Sequence, residues 1–508
     1  MSEDFNITDL FFEAAAKFPG KPAIIYKDEV ISFGAFAKEV DQTAAHFVKK
    51  GIMKGDRVMI FVPMSIDLYR IVLALFRIGA TAVFLDEWVS KARMEECCKV
   101  AQCKAFIGGF KARALAMLSK ELRKIPIKPG IKKVSGETSF EKRKVTFSDT
   151  ALITFTTGST GIPKAARRTH GFLLEQFAAL NEKIAPQPED IIMPVLPIVL
   201  LINLGNGTTS VIADFKASKP ESLHPEKIIL QCTRHKVSGI ISSPFFIKEV
   251  SKHLSKNNIR LPLVKKIFTG GAPVFPHEAA VYHSAFPAAK VEVVYGSTEA
   301  EPISSITVNE LVKEKDRVLQ KGLNVGMPYR KTEVKIIAMT EENISVKSES
   351  ELSELPAGQI GEIIVAGPHV LNAYINNEEA VKRNKIFTGD KCWHRTGDSG
   401  QLDENGNLFL TGRCNTIIRE NGQLIAPFIY ENLLQSMDGV SLGTVMRMKG
   451  RVTLIVELEN ESKKDSVQKE IQNAGVKFAE TKFISKIPRD PRHNSKIDYA
   501  KLRELIEA

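Results

Sequence analysis

Very little cysteine runs through this chain of 508 residues: Cys97, Cys98, Cys103, Cys232, Cys392 and Cys414 are all there is. No CxxC pair is followed by a second one, which argues against a structural zinc site of that kind. So few thiols over such a length fit a reducing cytoplasm. The longest apolar run, Met193–Gly205, is too short to span a bilayer, and two prolines and an asparagine interrupt it. The opening "MSEDFNITDLFFEAAAKFPG" begins acidic and reads as an amphipathic helix, without the basic-then-apolar order of a signal peptide, so a cytoplasmic protein is expected. The chain also lacks the Gly-Lys-Ser/Thr ending of a Walker loop and the Gly-x-Gly-x-x-Gly dinucleotide fingerprint. Its basic residues are scattered and no groove-reading motif accompanies them, so no nucleic-acid partner is expected. There is no fixed-period repeat.

What is present is a normal globular mixture, 44% apolar and 25% charged, with a net charge of +11. That charge suits anionic ligands, and it permits loose contact with an anionic membrane surface without demanding it. The length exceeds one ordinary core, so a large domain and a smaller one are expected. Strand-like runs alternate with helix-like ones: "DRVMIFVPM" before "SIDLYRIVLALFRIGA", then "TAVFLD", "VSGIISSP" and "KVEVVYGS". This order predicts parallel sheets under helical cover. "GQIGEIIVAGPHV" and "WHRTGDSGQLDENGNLFLTG" hold short strands with Asn-Gly and Asp-rich turns, hence an antiparallel, barrel-like part. Past Gly412 the character changes again, to a strand "VTLIVELEN", a short helix and a basic tail with a last helix. The expected organisation is α/β: residues 1–412 as a large N-terminal domain of parallel-rich sheets plus the barrel-like part, and 413–508 as a small, mobile α+β C-terminal domain.

The chemistry concentrates in "TFTTGSTGIPKAARRTHG", Thr154–Gly171. Glycines let successive backbone N–H groups face an anion, hydroxyls add donors, and Lys164 brings positive charge at the far end. Alone this is a polar glycine-rich turn. Others follow in order. "YGSTEAE" places Tyr295, which can stack on a purine, near Glu299, which can hold Mg2+. "FTGGAPV" allows close backbone approach to a flat ligand. "RTGDSG" puts Asp398 in a turn, where a carboxylate can meet two ribose hydroxyls, and "TGRCNTIIRENGQLIAP" puts Arg413 at the domain boundary. Together they describe a nucleotide site assembled between two domains.

In this order the motifs resemble the AMP-forming adenylating superfamily of acyl-CoA synthetases, peptide-synthetase adenylation domains and firefly luciferase, over nearly the whole chain. The resemblance implies that Thr157, Ser159, Thr160 and Lys164 clamp the β- and γ-phosphates of ATP, with Gly158 and Gly161 of the same loop also binding the nucleotide. It assigns adenine contact to Gly271, Ala272 and Tyr295, and counts Gly296 among the nucleotide-binding residues. Thr298 and Glu299 take Mg2+ and phosphate, with Thr160 as a second metal contact, and Asp398 and Arg413 take the ribose. Lys164 and Glu299 are expected to act in catalysis with Lys496 of "RHNSKID", which would bridge substrate carboxylate and α-phosphate. The implied cofactors are ATP, Mg2+ and CoA.

Three positions depart from the family pattern: Asn415 stands where a hinge Asp or Lys is usual, Ser495 replaces the glycine before the catalytic lysine, and Arg419 replaces a lysine, while Gly422, Pro427 and Glu431 match. The tail "DPRHNSKI" is similar to the olefin-pathway branch, whose members close an adenylated β-hydroxy acid to a β-lactone; "ALFRIGATAVFLDEW" and "PVLPIVLLINLGNG" also resemble that branch and its fatty acid–CoA ligase neighbours. The implied activity is ATP-dependent activation of a medium- or long-chain acid, then transfer to CoA; β-lactone closure and a non-catalytic nucleotide or acyl binder stay open. An acyl pocket is expected around Leu200, Asn203, Pro244, Phe245 and Gly270, with no aspartate placed to meet an α-ammonium group. His170 is expected to be a structural cap rather than a catalytic group.

Overall fold

Strands too apolar to face water stack into two sheets with helices between them. The computed structural model describes residues 4–85, 90–133, 140–156, 163–216, 219–476, 478, 480–490 and 496–507. In the first sheet Ala105–Gly108, Arg57–Phe61, Thr81–Phe84 and Thr150–Thr156 lie parallel in that order, and Lys164–Thr169 and Tyr374–Ile375 complete it antiparallel. The second has nine strands. Its centre is parallel, from Pro22–Tyr26 through Thr209–Ile212, Ile191–Pro194, Gly239–Ser242 and Lys266–Gly270 to Lys290–Ser297. Ala300–Thr307 returns antiparallel beside Lys290–Ser297. Gly239–Ser242 is buried at every position, as expected of a strand covered on both faces.

One core joins the two sheets. Ile24 and Ile212 of the nine-stranded sheet and Val58, Ile60 and Leu152 of the other share a cluster with Phe33, Phe36, Phe76, Leu200 and Leu204 from the helices between them. Each such side chain contributes about 1.5–3 kcal/mol by leaving water. The helix Pro197–Gly205, cut from the longest apolar run, is thus a core element. The helix His170–Ile184 begins at His170, but its cap is Thr169, whose hydroxyl accepts from the Phe172 N–H. His170 is itself buried and accepts from the Ile7 N–H at 3.2 Å; burial pushes its pKa down to about 4, so it stays neutral and structural.

The antiparallel part is a six-stranded sheet including Glu333–Ile337, Gly361–Ala366, Lys391–Leu402 and Leu408–Arg413. Beyond it, Val440–Met448 pairs antiparallel with Arg451–Leu458, which runs parallel to Glu480–Ile484. The helices Pro427–Gln435, Lys464–Asn473 and Tyr499–Glu507 accompany that smaller sheet. Leu434, Val445, Leu454, Val456, Val467 and Ile471 give it a core of its own. The molecule is therefore a mixed α/β fold with a large sheet-rich N-terminal part and a smaller C-terminal part. No helix among the described residues is long and apolar enough to cross a membrane.

Candidate functional site

The strands Thr150–Thr156 and Lys164–Thr169 form a hairpin with Thr156 opposite Lys164. Thr157, Gly158, Ser159, Thr160 and Gly161, which come between the two strands in sequence, lie outside the described residues. The pairing fixes Lys164 as the first residue of the returning strand. Its ammonium donates to Asn384 Oδ1 at 3.3 Å and lies 5.5 Å from the centre of the Tyr374 ring. Burial lowers its pKa, while the Glu299 carboxylate acts in the other direction.

Two sheets supply the next group. Asp398 and Arg413 face each other in register on Lys391–Leu402 and Leu408–Arg413. Arg413 Nη1 donates to Asp398 Oδ1 at 2.7 Å and to the Thr396 carbonyl at 3.2 Å. Tyr295, near the end of Lys290–Ser297, donates its hydroxyl to the other carboxylate oxygen at 2.8 Å. The Asp398 charge holds the Arg413 pKa above its usual value; burial, then Asp398, raises that of Tyr295. Asp398 was expected in a turn, but it sits inside a twelve-residue strand. The turn chemistry of "RTGDSG" serves a local kink: Gly397 has φ +68°, and a Cβ there would lie 3.1 Å from Arg413 Nη2.

Gly271 and Ala272 follow the strand Lys266–Gly270, whose Gly270 pairs with Val294 next to Tyr295. A Cβ at Gly270 would meet the Val294 carbonyl at 2.4 Å, and Gly271 has φ +91°. The backbone therefore leaves the carboxyl end of a parallel strand close beside Tyr295, where open α/β sheets present ligand crevices. A Cβ at Gly296 would lie 2.8 Å from the Ala300 carbonyl, which keeps the hairpin tight.

Thr298 and Glu299 form the turn of that hairpin. Arg168 Nη2 donates to the Thr298 carbonyl at 3.0 Å. Glu299 is buried; its carbonyl accepts from the Leu371 N–H at 2.7 Å and its carboxylate from the Tyr374 hydroxyl at 3.3 Å. Burial, then Glu299, raises the Tyr374 pKa. Beneath them lies Lys385, 2% exposed. Its ammonium donates to the Leu371 carbonyl and stands 5.4 Å from the Tyr374 ring centre. It forms no ion pair among the described residues, and burial pushes its pKa down to about 8. Arg168, Tyr374 and Lys385 were not singled out from the sequence. Only the Arg167–Arg168 pair gave a signal, since "NAYINN" and "KRNKIF" read as ordinary polar surface.

No group of three or more His, Cys, Asp or Glu that could hold a metal occurs among the described residues. A divalent ion beside Glu299 would rest on one carboxylate and on nucleotide phosphates, the coordination Mg2+ favours. The cations Lys164 and Lys385 near that carboxylate, with Arg168 on the carbonyl of the preceding Thr298, suit a polyanion.

The described bonds of other expected residues go elsewhere. Lys496 is exposed, and its described hydrogen bonds join its backbone to Asp490: its N–H donates to Asp490 Oδ1 at 3.0 Å, and its carbonyl accepts from the Asp490 N–H at 2.9 Å. None of these reaches Glu299 or Asp398. Ser495 lies outside the described residues. Among the acyl-pocket candidates, Leu200 is core and Asn203 donates to Ser210 Oγ at 2.9 Å. The Pro244 carbonyl accepts from Tyr282 at 3.0 Å, and Phe245 is half-buried.

The sequence model of the family described as AMP-binding enzyme matches residues 11–375. The chain is 29% identical over 411 residues to an olefin beta-lactone synthetase of Xanthomonas campestris pv. campestris, a match that covers 76% of this chain and 72% of that relative. It is 26% identical over 436 residues to a 2-succinylbenzoate–CoA ligase of Enterococcus faecalis, covering 85% and 83%. O-succinylbenzoate coenzyme A synthetase from Bacillus subtilis, solved in complex with AMP, superposes with a TM-score of 0.80 at 20% identity, covering 98% of each chain; the two share a fold.

Proposed function

Because the chain belongs to the AMP-binding enzyme family, we propose that it activates the carboxylate of a medium- or long-chain acid with ATP, forming an acyl-adenylate and releasing pyrophosphate. The observation that carries this reading is the bonded set Tyr295–Asp398–Arg413 beside the buried Glu299–Tyr374–Lys164 group. The first offers an aromatic face and a carboxylate to a nucleoside. The second offers cations and one carboxylate to phosphates.

A substrate carboxylate oxygen attacks the α-phosphorus, and the bond to the β-phosphate oxygen breaks. No general base is needed, because the nucleophile is already ionised near neutral pH. Lys164 offsets charge on the departing pyrophosphate, and Arg168 holds the Thr298 carbonyl and with it the Glu299 turn. Glu299 and Thr160 would hold Mg2+, which when bound neutralises phosphate charge. Lys496 bridges the two reacting anions. We place the domain boundary between Gly412 and Arg413 and assign Lys496 to the smaller domain, which turns about Asn415 to deliver it. Asn415 lies in the single 3-10 turn Cys414–Thr416, closed by the Thr416 hydroxyl on the Arg413 carbonyl at 2.8 Å.

The acyl group then passes to an acceptor. CoA is the first reading, supported by the likeness to a CoA ligase. The substrate's own β-hydroxyl is the second, supported by the likeness to an olefin beta-lactone synthetase and by the "DPRHNSKI" tail. One assay ranks them: pyrophosphate release from fatty acids and β-hydroxy acids, with ATP and Mg2+, with and without CoA. A CoA requirement for repeated turnover supports the thiol. Repeated turnover of a β-hydroxy acid alone supports the lactone. Release from no acid would overturn adenylation itself.

A further inference from the structure

The helix Phe110–Leu118, "FKARALAML", is turned the wrong way for a surface helix. Its inward residues are the small Ala112 and Ala116. Its large apolar residues face out: Phe110 is 89% exposed, Met117 69% and Leu118 70%. At 3.6 residues per turn, Met117, Phe110, Ala114 and Leu118 fall within an arc of about 100°, with Arg113 just beyond one edge and Lys111 just beyond the other. A helix at the surface of a folded domain normally shows the reverse pattern, apolar inward and charged outward. An outward apolar stripe flanked by cations is how a helix lies in a lipid–water interface, its apolar side chains among the acyl chains and its cations at the headgroups.

The surroundings point to the sign of that surface. Residues 104–133 hold nine Lys or Arg and one acidic residue, Glu121. Glu121 is already paired with Lys124 at 2.9 Å. This stretch carries most of the chain's excess positive charge in sequence; of its nine cations Lys104 pairs with Asp56 and Lys133 with Glu39, and Glu95 accepts from Ser119 and the Lys120 N–H just past the helix. The helix also stands at a telling place. It follows the strand Ala105–Gly108, which runs parallel to Thr150–Thr156 with two strands between them. The carboxyl ends of both strands thus share one edge of the sheet. They lie three strand spacings, about 14 Å, apart.

We propose that the outward face of Phe110–Leu118 docks on an anionic lipid bilayer, with Phe110, Met117 and Leu118 inserted and Lys111, Arg113 and Lys120 at the headgroups. The contact sets the site's edge of the sheet toward a surface from which an acid with an alkyl chain is drawn. It does not depend on what the protein does with that acid.

The test is sedimentation of the full chain with phosphatidylcholine vesicles and with vesicles that also contain phosphatidylglycerol, at low and high salt. The expected result is binding to the anionic vesicles, weaker at high salt. The triple change Phe110→Ser, Met117→Ser, Leu118→Ser and the double change Lys111→Glu, Arg113→Glu each weaken it about tenfold, with melting midpoints as in the parent because all five residues are exposed. No binding to anionic vesicles would overturn the proposal, as would a triple variant that binds like the parent. So would a parent that self-associates in the ultracentrifuge without binding vesicles while the triple variant is a monomer, since the face would then belong to a second copy of the chain.

Discussion

Asp398 carries two bonds on one carboxylate, and its removal breaks both at once. Tyr295 and Arg413 each donate to a different oxygen. Asp398→Ala is expected to weaken AMP binding about 10- to 100-fold, since hydrogen bonds to charged groups contribute about 1.5–3 kcal/mol; titration calorimetry with AMP measures this, and an unchanged affinity would count against a nucleoside at Asp398. Lys385 acts differently. It grips the Leu371 carbonyl, whose own N–H holds the Glu299 backbone, and it stands over the Tyr374 ring, whose hydroxyl holds the Glu299 carboxylate. Replacing a buried cation that has no ion pair among the described residues by an apolar chain of similar length relieves desolvation. Lys385→Met should therefore melt no lower than the parent, yet bind ATP with Mg2+ on the order of tenfold more weakly, because a charge near the phosphates is lost. A lower melting midpoint with unchanged ATP affinity would reduce Lys385 to a structural residue.

Among the elements, the helix Pro427–Gln435 of the smaller part holds a carboxyl group where water does not reach. Glu431 is buried, accepts from the Thr444 hydroxyl at 3.0 Å and from Tyr499, and burial pushes its pKa up to about 7. Its folded pKa exceeds the unfolded value, so between the two the folded chain binds more protons than the unfolded one. Stability is therefore lost as pH rises from about 4.5 to about 7, by at most about 3 kcal/mol. Glu431→Gln keeps the acceptor and removes the titration. The expected result is a smaller drop in melting midpoint between about pH 5 and about pH 8 than the parent shows, read by calorimetry; equal drops would sink it. At this scale the sequence was readable where periodicity rules. The alternation of apolar strands with helices foretold parallel-rich sheets, because a strand covered on both faces must be apolar throughout. Asp398 was misplaced because Gly397 and Asp398 are turn residues by type, and only the register with Arg413 makes them part of a strand. Tyr374 and Lys385 were illegible for another reason. Each is one residue in a polar stretch, and the ring, the ammonium and Glu299 meet only through pairings that join distant segments.

At the scale of the whole molecule, no described bond joins the residue expected to complete the chemistry to Glu299 or Asp398. The described bonds of Lys496 tie it to Asp490. Lys496→Ala should lower pyrophosphate release on the order of 100- to 1000-fold, the loss typical of one preorganised group. The same change should leave AMP affinity as it was. A parallel loss of AMP affinity would mean that Lys496 serves binding rather than the reacting atoms. Arg413 connects the two halves of this arrangement. It is the last residue of its strand, it closes the turn that leads into the smaller part, and it spends its guanidinium on Asp398. A diol that takes Asp398 Oδ1 would compete with Arg413 for that oxygen and leave its guanidinium the Thr396 carbonyl, one bond fewer at the start of the segment that follows. If the smaller part turns about Asn415 as proposed, occupancy of the nucleoside position and the orientation of everything past residue 413 are linked, and linkage is reciprocal: a substitution that loosens the turn at Asn415 would alter nucleotide affinity by the same factor by which nucleotide shifts the turn.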